Sequence, residues 1–261
     1  MSGAGERRIL ARKLFAEFVG TALLVTAVVG SGIAAQRLSP NDIGLELFEN
    51  AAATAAALVA IILAVGAVSG AHLNPVVTLA DRLLGGHLRW RDTSAYIGAQ
   101  IAGGIAGVVM ANLMFGLPAI DLSTKPRSAG HLWLSESVAT FGLLLVIFGV
   151  VRSRRANAAP FAVGAYIGAA YFFTSSTSFA NPAVTIARTL TNTFAGIKPS
   201  SAPAFIVFQI IGGVIAVAAV VFLYPAIRSV ADDIVMPHRS EPEVNARATR
   251  ADVPVSGMDA R

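Results

Sequence analysis

The residues best able to do chemistry are Asn74, Pro75 and Val76, and again Asn181, Pro182 and Ala183. They open two near-copies of one phrase, at 74–80 and 181–187. The chemistry they support is hydrogen bonding rather than bond making. An asparagine before a helix accepts from the helix's first N–H groups through its side-chain oxygen, while its NH2 group stays a donor. Proline suits the first helical position, where a missing N–H costs nothing. Each helix N-terminus carries roughly half an elementary positive charge. Two such tips facing each other would offer donors to a neutral solute and repel a cation or a hopping proton. No nucleophile–base pair and no metal-ligand cluster appears, so no catalytic residue, metal ligand or cofactor is assigned.

The elements that must position these residues belong to a membrane protein. Hydrophobic residues make up 55% of the chain and charged residues 13%, against about 25% charged in a soluble domain. Mean hydropathy is +0.66. Six apolar segments follow in order, at about 14–36, 47–68, 94–115, 132–151, 161–177 and 204–227. Each approaches the roughly 20 residues that cross a bilayer. The two Asn-Pro phrases begin apolar stretches of only about ten residues, too short to cross. These fit re-entrant half-helices, whose irregular backbone survives at that depth only beside a wet cavity or inside protein.

The net charge of +5 could suggest nucleic acid. The basic residues instead flank the apolar segments, as they do beside lipid headgroups. Of the 20 lysines and arginines, all except Arg37, Lys125, Arg127, Arg188 and Lys198 fall on one side of the predicted topology. Positive charge inside then places both termini in the cytoplasm. With no cysteine, disulfides and thiolate metal sites are excluded.

The repeat extends beyond the Asn-Pro phrases. Ala16-Glu17-Phe18-Val19-Gly20-Thr21 in the first span answers to Ser135-Glu136-Ser137-Val138-Ala139-Thr140 in the fourth. Gln100 through Gly104 in the third span answers to Gln209 through Gly213 in the sixth. Three spans per half is odd, so the second half enters from the opposite face. The expected fold is an all-α membrane protein: six transmembrane helices and two half-helices in an inverted 3+3 repeat. The channel domain covers 14–227, with repeat one at about 14–115 and repeat two at about 132–227. A cytoplasmic segment precedes it at 1–13, and a tail follows at 228–261. Polar composition predicts disorder for residues 1–8 and for the tail.

Across roughly residues 10–227 the chain resembles the aquaporin and aquaglyceroporin (major intrinsic protein) family. The resemblance is carried by Ala16 to Thr21, Ser69-Gly70-Ala71-His72-Leu73-Asn74-Pro75-Val76-Val77-Thr78, Gln100, Glu136, Asn181-Pro182-Ala183 and Gln209. It implies passive flow of water or small uncharged solutes through a homotetramer with one pore per protomer. It also implies that Glu17 and Glu136 accept hydrogen bonds from the re-entrant loops and brace them, with Gln100 and Gln209 assisting. His72 then lines the cytoplasmic half of the pore. Proton relay is the competing reading of the two acids.

Departures from the family pattern fall at the outer constriction. The residue after the second Asn-Pro-Ala, usually arginine, is Val184. Arg188 lies one turn further on, about 6 Å along the axis, and is expected at the periplasmic mouth. Counting from the motifs gives a ring of Thr54, Ser178, Val184 and a span-five residue, Tyr171 or Ala169, with Tyr171 preferred. Val and Thr in place of arginine and a large aromatic predict a wider pore. Such a ring resembles that of bacterial members associated with arsenic resistance, which implies arsenite and other metalloid hydroxides, glycerol-like solutes and some water as cargo. The expected setting is the inner (plasma) membrane. Two alternatives remain: a mainly water-selective aquaporin, and an ion-coupled secondary transporter, since inverted repeats with broken helices build those too.

Overall fold

The computed structural model describes residues 3–224. The long apolar runs contain no interior proline and stay helical, and proline appears in helices only in the first turn, where it is tolerated. Eight α-helices form among the described residues: α1 Gly3–Leu38, α2 Ile43–Ser69, α3 Pro75–Leu84, α4 Trp90–Met114, α5 Gly130–Arg152, α6 Ala159–Phe173, α7 Pro182–Ala187 and α8 Ala202–Leu223. The half-helices predicted from the Asn-Pro phrases are α3 and α7.

Helices α1, α2, α4 and α5, and the segment Pro199–Leu223 that contains α8, are long and apolar enough to cross a membrane. The remaining predicted span is shorter than expected. Helix α6 has 15 residues, a rise of about 22 Å against a hydrocarbon core of about 30 Å. It stops before 177 because Thr174 turns to extended backbone, its hydroxyl bonding back to the Ala170 carbonyl at 2.6 Å. Residues 174–181 are thereby released to form the second re-entrant loop.

At the other end the chain is more ordered than its polarity suggests. Residues 3–8, expected to be disordered, are the first turns of α1, which runs for 36 residues. Glu6, Arg7, Arg8, Leu10 and Ala11 are good helix formers, and they extend the apolar helix instead of fraying from it. The tail at 228–261 lies outside the described residues.

The packing repeats with the sequence. Helix α1 packs against α2 and α4, as α5 packs against α6 and α8; α3 packs against α4 and α8, as α7 packs against α8 and α4. Exchanging the halves maps this pattern onto itself, as an inverted repeat requires. Two glycines make the close approaches possible. A Cβ on Gly103 would run into the Phe18 carbonyl of α1, and a Cβ on Gly212 would run into the Ser137 carbonyl of α5. Their partners therefore come close enough for backbone contact, as small residues allow between membrane helices.

Candidate functional site

Both re-entrant loops turn in left-handed conformations that non-glycine residues rarely adopt. Ala71 and Leu73 have φ of 48° and 50°, and their counterparts Ser178 and Ala180 have 52° and 48°. Each costs about 1–2 kcal/mol, so something must hold it. Glu17 does so in the first loop, accepting from the backbone N–H of His72 at 3.0 Å and of Leu73 at 2.7 Å. Glu136 does so in the second, accepting from Phe179 and Ala180, each at 2.9 Å. Without these acceptors, four buried N–H groups would lie far from water.

The glutamines secure the acids in turn. Gln100 Nε2 donates to Glu17 at 2.8 Å and to Thr78 at 2.9 Å. Gln209 Nε2 donates to Glu136 at 2.6 Å and to Thr185 at 2.9 Å. Ser69, part of the motif but given no role from sequence, also donates to Glu17 at 2.6 Å. All four acids and amides are fully buried. They lie behind the loops and do not reach the cavity.

The two helix tips meet. Asn74 Oδ1 caps α3 by accepting from Val76 N at 2.9 Å. Asn181 Oδ1 caps α7 by accepting from Ala183 N at 2.9 Å and Val184 N at 3.3 Å. Each side-chain amide then crosses to the other loop: Asn74 Nδ2 donates to the Ala180 carbonyl at 2.7 Å, and Asn181 Nδ2 to the Leu73 carbonyl at 2.8 Å. This locks the tips and uses one N–H of each amide. The second N–H of each remains for a solute.

Both asparagines line a cavity of about 70 Å³, room for roughly five water-sized probes. Its walls are largely apolar, with Leu24, Val28, Leu58 and Ile62 from the first repeat and Leu143, Ile147, Val163 and Ile167 from the second. Polar side chains enter at a few points, namely His72, the two asparagines, Thr54, Tyr171, Ser178 and Arg188, with Val184 also in the lining. Tyr171 donates to Thr54 Oγ1 at 3.2 Å, tying α6 to α2. Of the two span-five candidates, Tyr171 faces the cavity and Ala169 is exposed on the outside of the helix.

Three sequence expectations shift at this point. Pro75, Val76, Pro182 and Ala183 lie at the tips but do not reach the cavity. Val76 instead packs where a Cβ of Gly213 would fall, and Ala183 packs beside Gly104. The cavity-facing residue of α3 is Val77, three positions after Asn74 and hence on the same helix face.

The third shift concerns Arg188. Expected at the mouth, it is buried, with 2% of its surface exposed, and it lines the cavity together with Thr54, Tyr171, Ser178 and Val184. Side chains on a helix lean back toward its N-terminus, and an arginine is long enough to cover the one-turn offset. Its guanidinium carbon lies 3.4 Å from the centre of the Phe179 ring, and its Nε donates to the Ala195 carbonyl. Asn181, Val184 and Arg188 are spaced at i, i+3 and i+7, one face of a helix; that spacing was the available signal. Arg127 approaches the same ring from its other neighbours, 5.1 Å from its centre, held by the Gly196 and Ser176 carbonyls at 3.1 and 3.3 Å. Burial pushes the pKa of Arg127 below its ordinary value, against the pull of Glu136.

Two half-helices of opposite direction, joined tip to tip beside a narrow cavity inside a membrane-spanning bundle, define a channel-type membrane protein. The chain belongs to the major intrinsic protein family, whose model matches residues 6–180. It is 49% identical to aquaglyceroporin AqpS of Rhizobium meliloti over 85% of this chain and 94% of that protein. It is 35% identical to aquaporin NIP3-1 of Oryza sativa subsp. japonica over 60% of this chain, spanning about half (51%) of that relative's length. The X-ray structure of the aquaglyceroporin from Plasmodium falciparum superposes with a TM-score of 0.63 at 20% identity. That match covers 84% of this chain and 98% of that one, and it shows the fold.

Proposed function

We propose that this protein is a passive channel for small uncharged solutes: glycerol-like polyols and metalloid hydroxides, chiefly arsenite, with some water. The observation that carries the reading is Val184, which faces the cavity in place of the family's usual arginine. Thr54 lines the same cavity in place of a large aromatic, and its hydrogen bond from Tyr171 ties the two together. Both replacements remove bulk from the cavity wall. The name of the bacterial relative, aquaglyceroporin, supports the glycerol and water part of that cargo.

In this reading Glu17, Glu136, Gln100 and Gln209 are braces, His72 lines the cytoplasmic half, and the ring is Thr54, Tyr171, Ser178 and Val184. The chain assembles as a homotetramer in the inner membrane, multi-pass, with both termini in the cytoplasm, so that α7 faces the periplasm. The bilayer and small neutral solutes are its partners; no cofactor, metal or nucleic acid takes part, and it is not an enzyme.

Stopped-flow light scattering on proteoliposomes tests this. Val184→Arg restores bulk and charge, so glycerol and arsenite flux should drop roughly tenfold, the worth of one lost methylene-scale fit in a tight site, while water flux persists. Unchanged glycerol and arsenite flux with normal water flux would refute the ring assignment.

A further inference from the structure

Arg188 has a donor set that the fold does not use up. Its Nε is spent on the Ala195 carbonyl. Its two Nη groups have no hydrogen-bond partner among the described residues, and neither is fully sealed from solvent. The side chain is almost wholly buried, yet it lines the cavity beside Val184. The Phe179 ring against one guanidinium face fixes the plane and adds a cation–π attraction.

A guanidinium held by a ring and a carbonyl at the wall of a narrow cavity, with both Nη groups unspent, is a preformed binding group. We propose that Arg188 is the solute-selecting cation of this pore, acting from one helical turn beyond the position Val184 occupies. It would take solutes that present two or more oxygens on one central atom or on neighbouring atoms. Such a pair accepts both N–H groups of the fork at once, as carboxylates and phosphates do. A water molecule offers a single oxygen and gains one bond. The same fixed charge, in a site with few competing dipoles, raises the barrier to protons and other cations. Val184 contributes by being small: a larger residue would stand between the fork and the solute.

The alternative is that Arg188 only staples α7 to the 191–197 segment through Ala195. The two roles separate in one experiment, which rests on the channel reading above. Glycerol, water and proton permeability are measured on proteoliposomes holding the full chain, as wild type, Arg188→Met and Arg188→Lys. The proposal expects Arg188→Met to lower the glycerol-to-water ratio roughly tenfold, about the worth of one charge-assisted bond, and to raise proton leak. Arg188→Lys keeps the charge and loses the fork, so its ratio should fall while proton exclusion holds. A uniform loss of all fluxes, or wild-type ratios and proton exclusion in Arg188→Met, overturns it. Should Arg188→Met not fold, the ratio and leak in Arg188→Lys and Arg188→Gln decide the matter in the same way. Wild-type glycerol and water fluxes both at lipid background would instead sink the channel reading itself.

Discussion

The loop entering α3 and the loop entering α7 follow the same path and carry different side chains. Both turn through three left-handed residues, Gly70, Ala71 and Leu73 in the first and Thr177, Ser178 and Ala180 in the second; both hang on one buried glutamate, and both end in a capping asparagine that reaches across to the other loop. The residue two before each asparagine differs. His72 contacts Thr78 at 3.2 Å and faces Tyr96, whereas Phe179 is covered by Arg188 and approached by Arg127. Seven residues past each asparagine stand Asp81 and Arg188, both buried. What is duplicated holds the backbone; what is not duplicated gives the conduit two unlike ends.

The sharpest way to break this comparison is to remove the acids. Glu17→Leu and Glu136→Leu each strand two buried N–H groups, so each should cost about 2–6 kcal/mol, read as thermal unfolding in detergent. Equal losses support equivalent braces; a neutral substitution at either site would show that its loop is held otherwise. Next come the glycines at the helix crossings. Gly103→Ala and Gly212→Ala force a methyl onto a carbonyl and should each cost about 1–3 kcal/mol in the same assay.

The asparagines sharpen the comparison further. Asn74→Ala and Asn181→Ala each remove a helix cap worth about 1 kcal/mol together with a donor in the cavity, so glycerol flux should fall in both. Smallest of all, Ala71→Gly and its counterpart Ser178→Gly relieve left-handed backbone at the expense of unfolded-chain entropy. A gain of up to about 1 kcal/mol is expected, similar in the two loops. A gain in one loop alone would mean that the shared path is strained unequally.

The sequence made the architecture readable because the repeat states it twice. Asn-Pro at 74 and 181, the acids at 17 and 136 and the glutamines at 100 and 209 each check the other copy. The early end of α6 was not readable, because the composition of 161–177 stays apolar past the point where Thr174 turns the chain. The cavity-facing side of the half-helices was read only at Val184: Pro75, Val76, Pro182 and Ala183 mark the tips, while Val77 and Arg188 also face inward. Arg188 was misplaced by measuring along the helix axis and ignoring the lean of a long side chain toward the N-terminus. Thr54, Tyr171 and Ser178, reached by counting from the motifs, all line the cavity, but the hydrogen bond between Tyr171 and Thr54 required the packing of α2 against α6.

The conduit itself is tested most directly by glycerol flux into proteoliposomes of wild-type protein under graded osmotic gradients, with and without proton and sodium ionophores. A passive pore gives flux proportional to the gradient, indifferent to ionophores and without counterflow. Accumulation against the gradient, stimulation by trans solute, or collapse on adding an ionophore would contradict it and make the protein a coupled transporter.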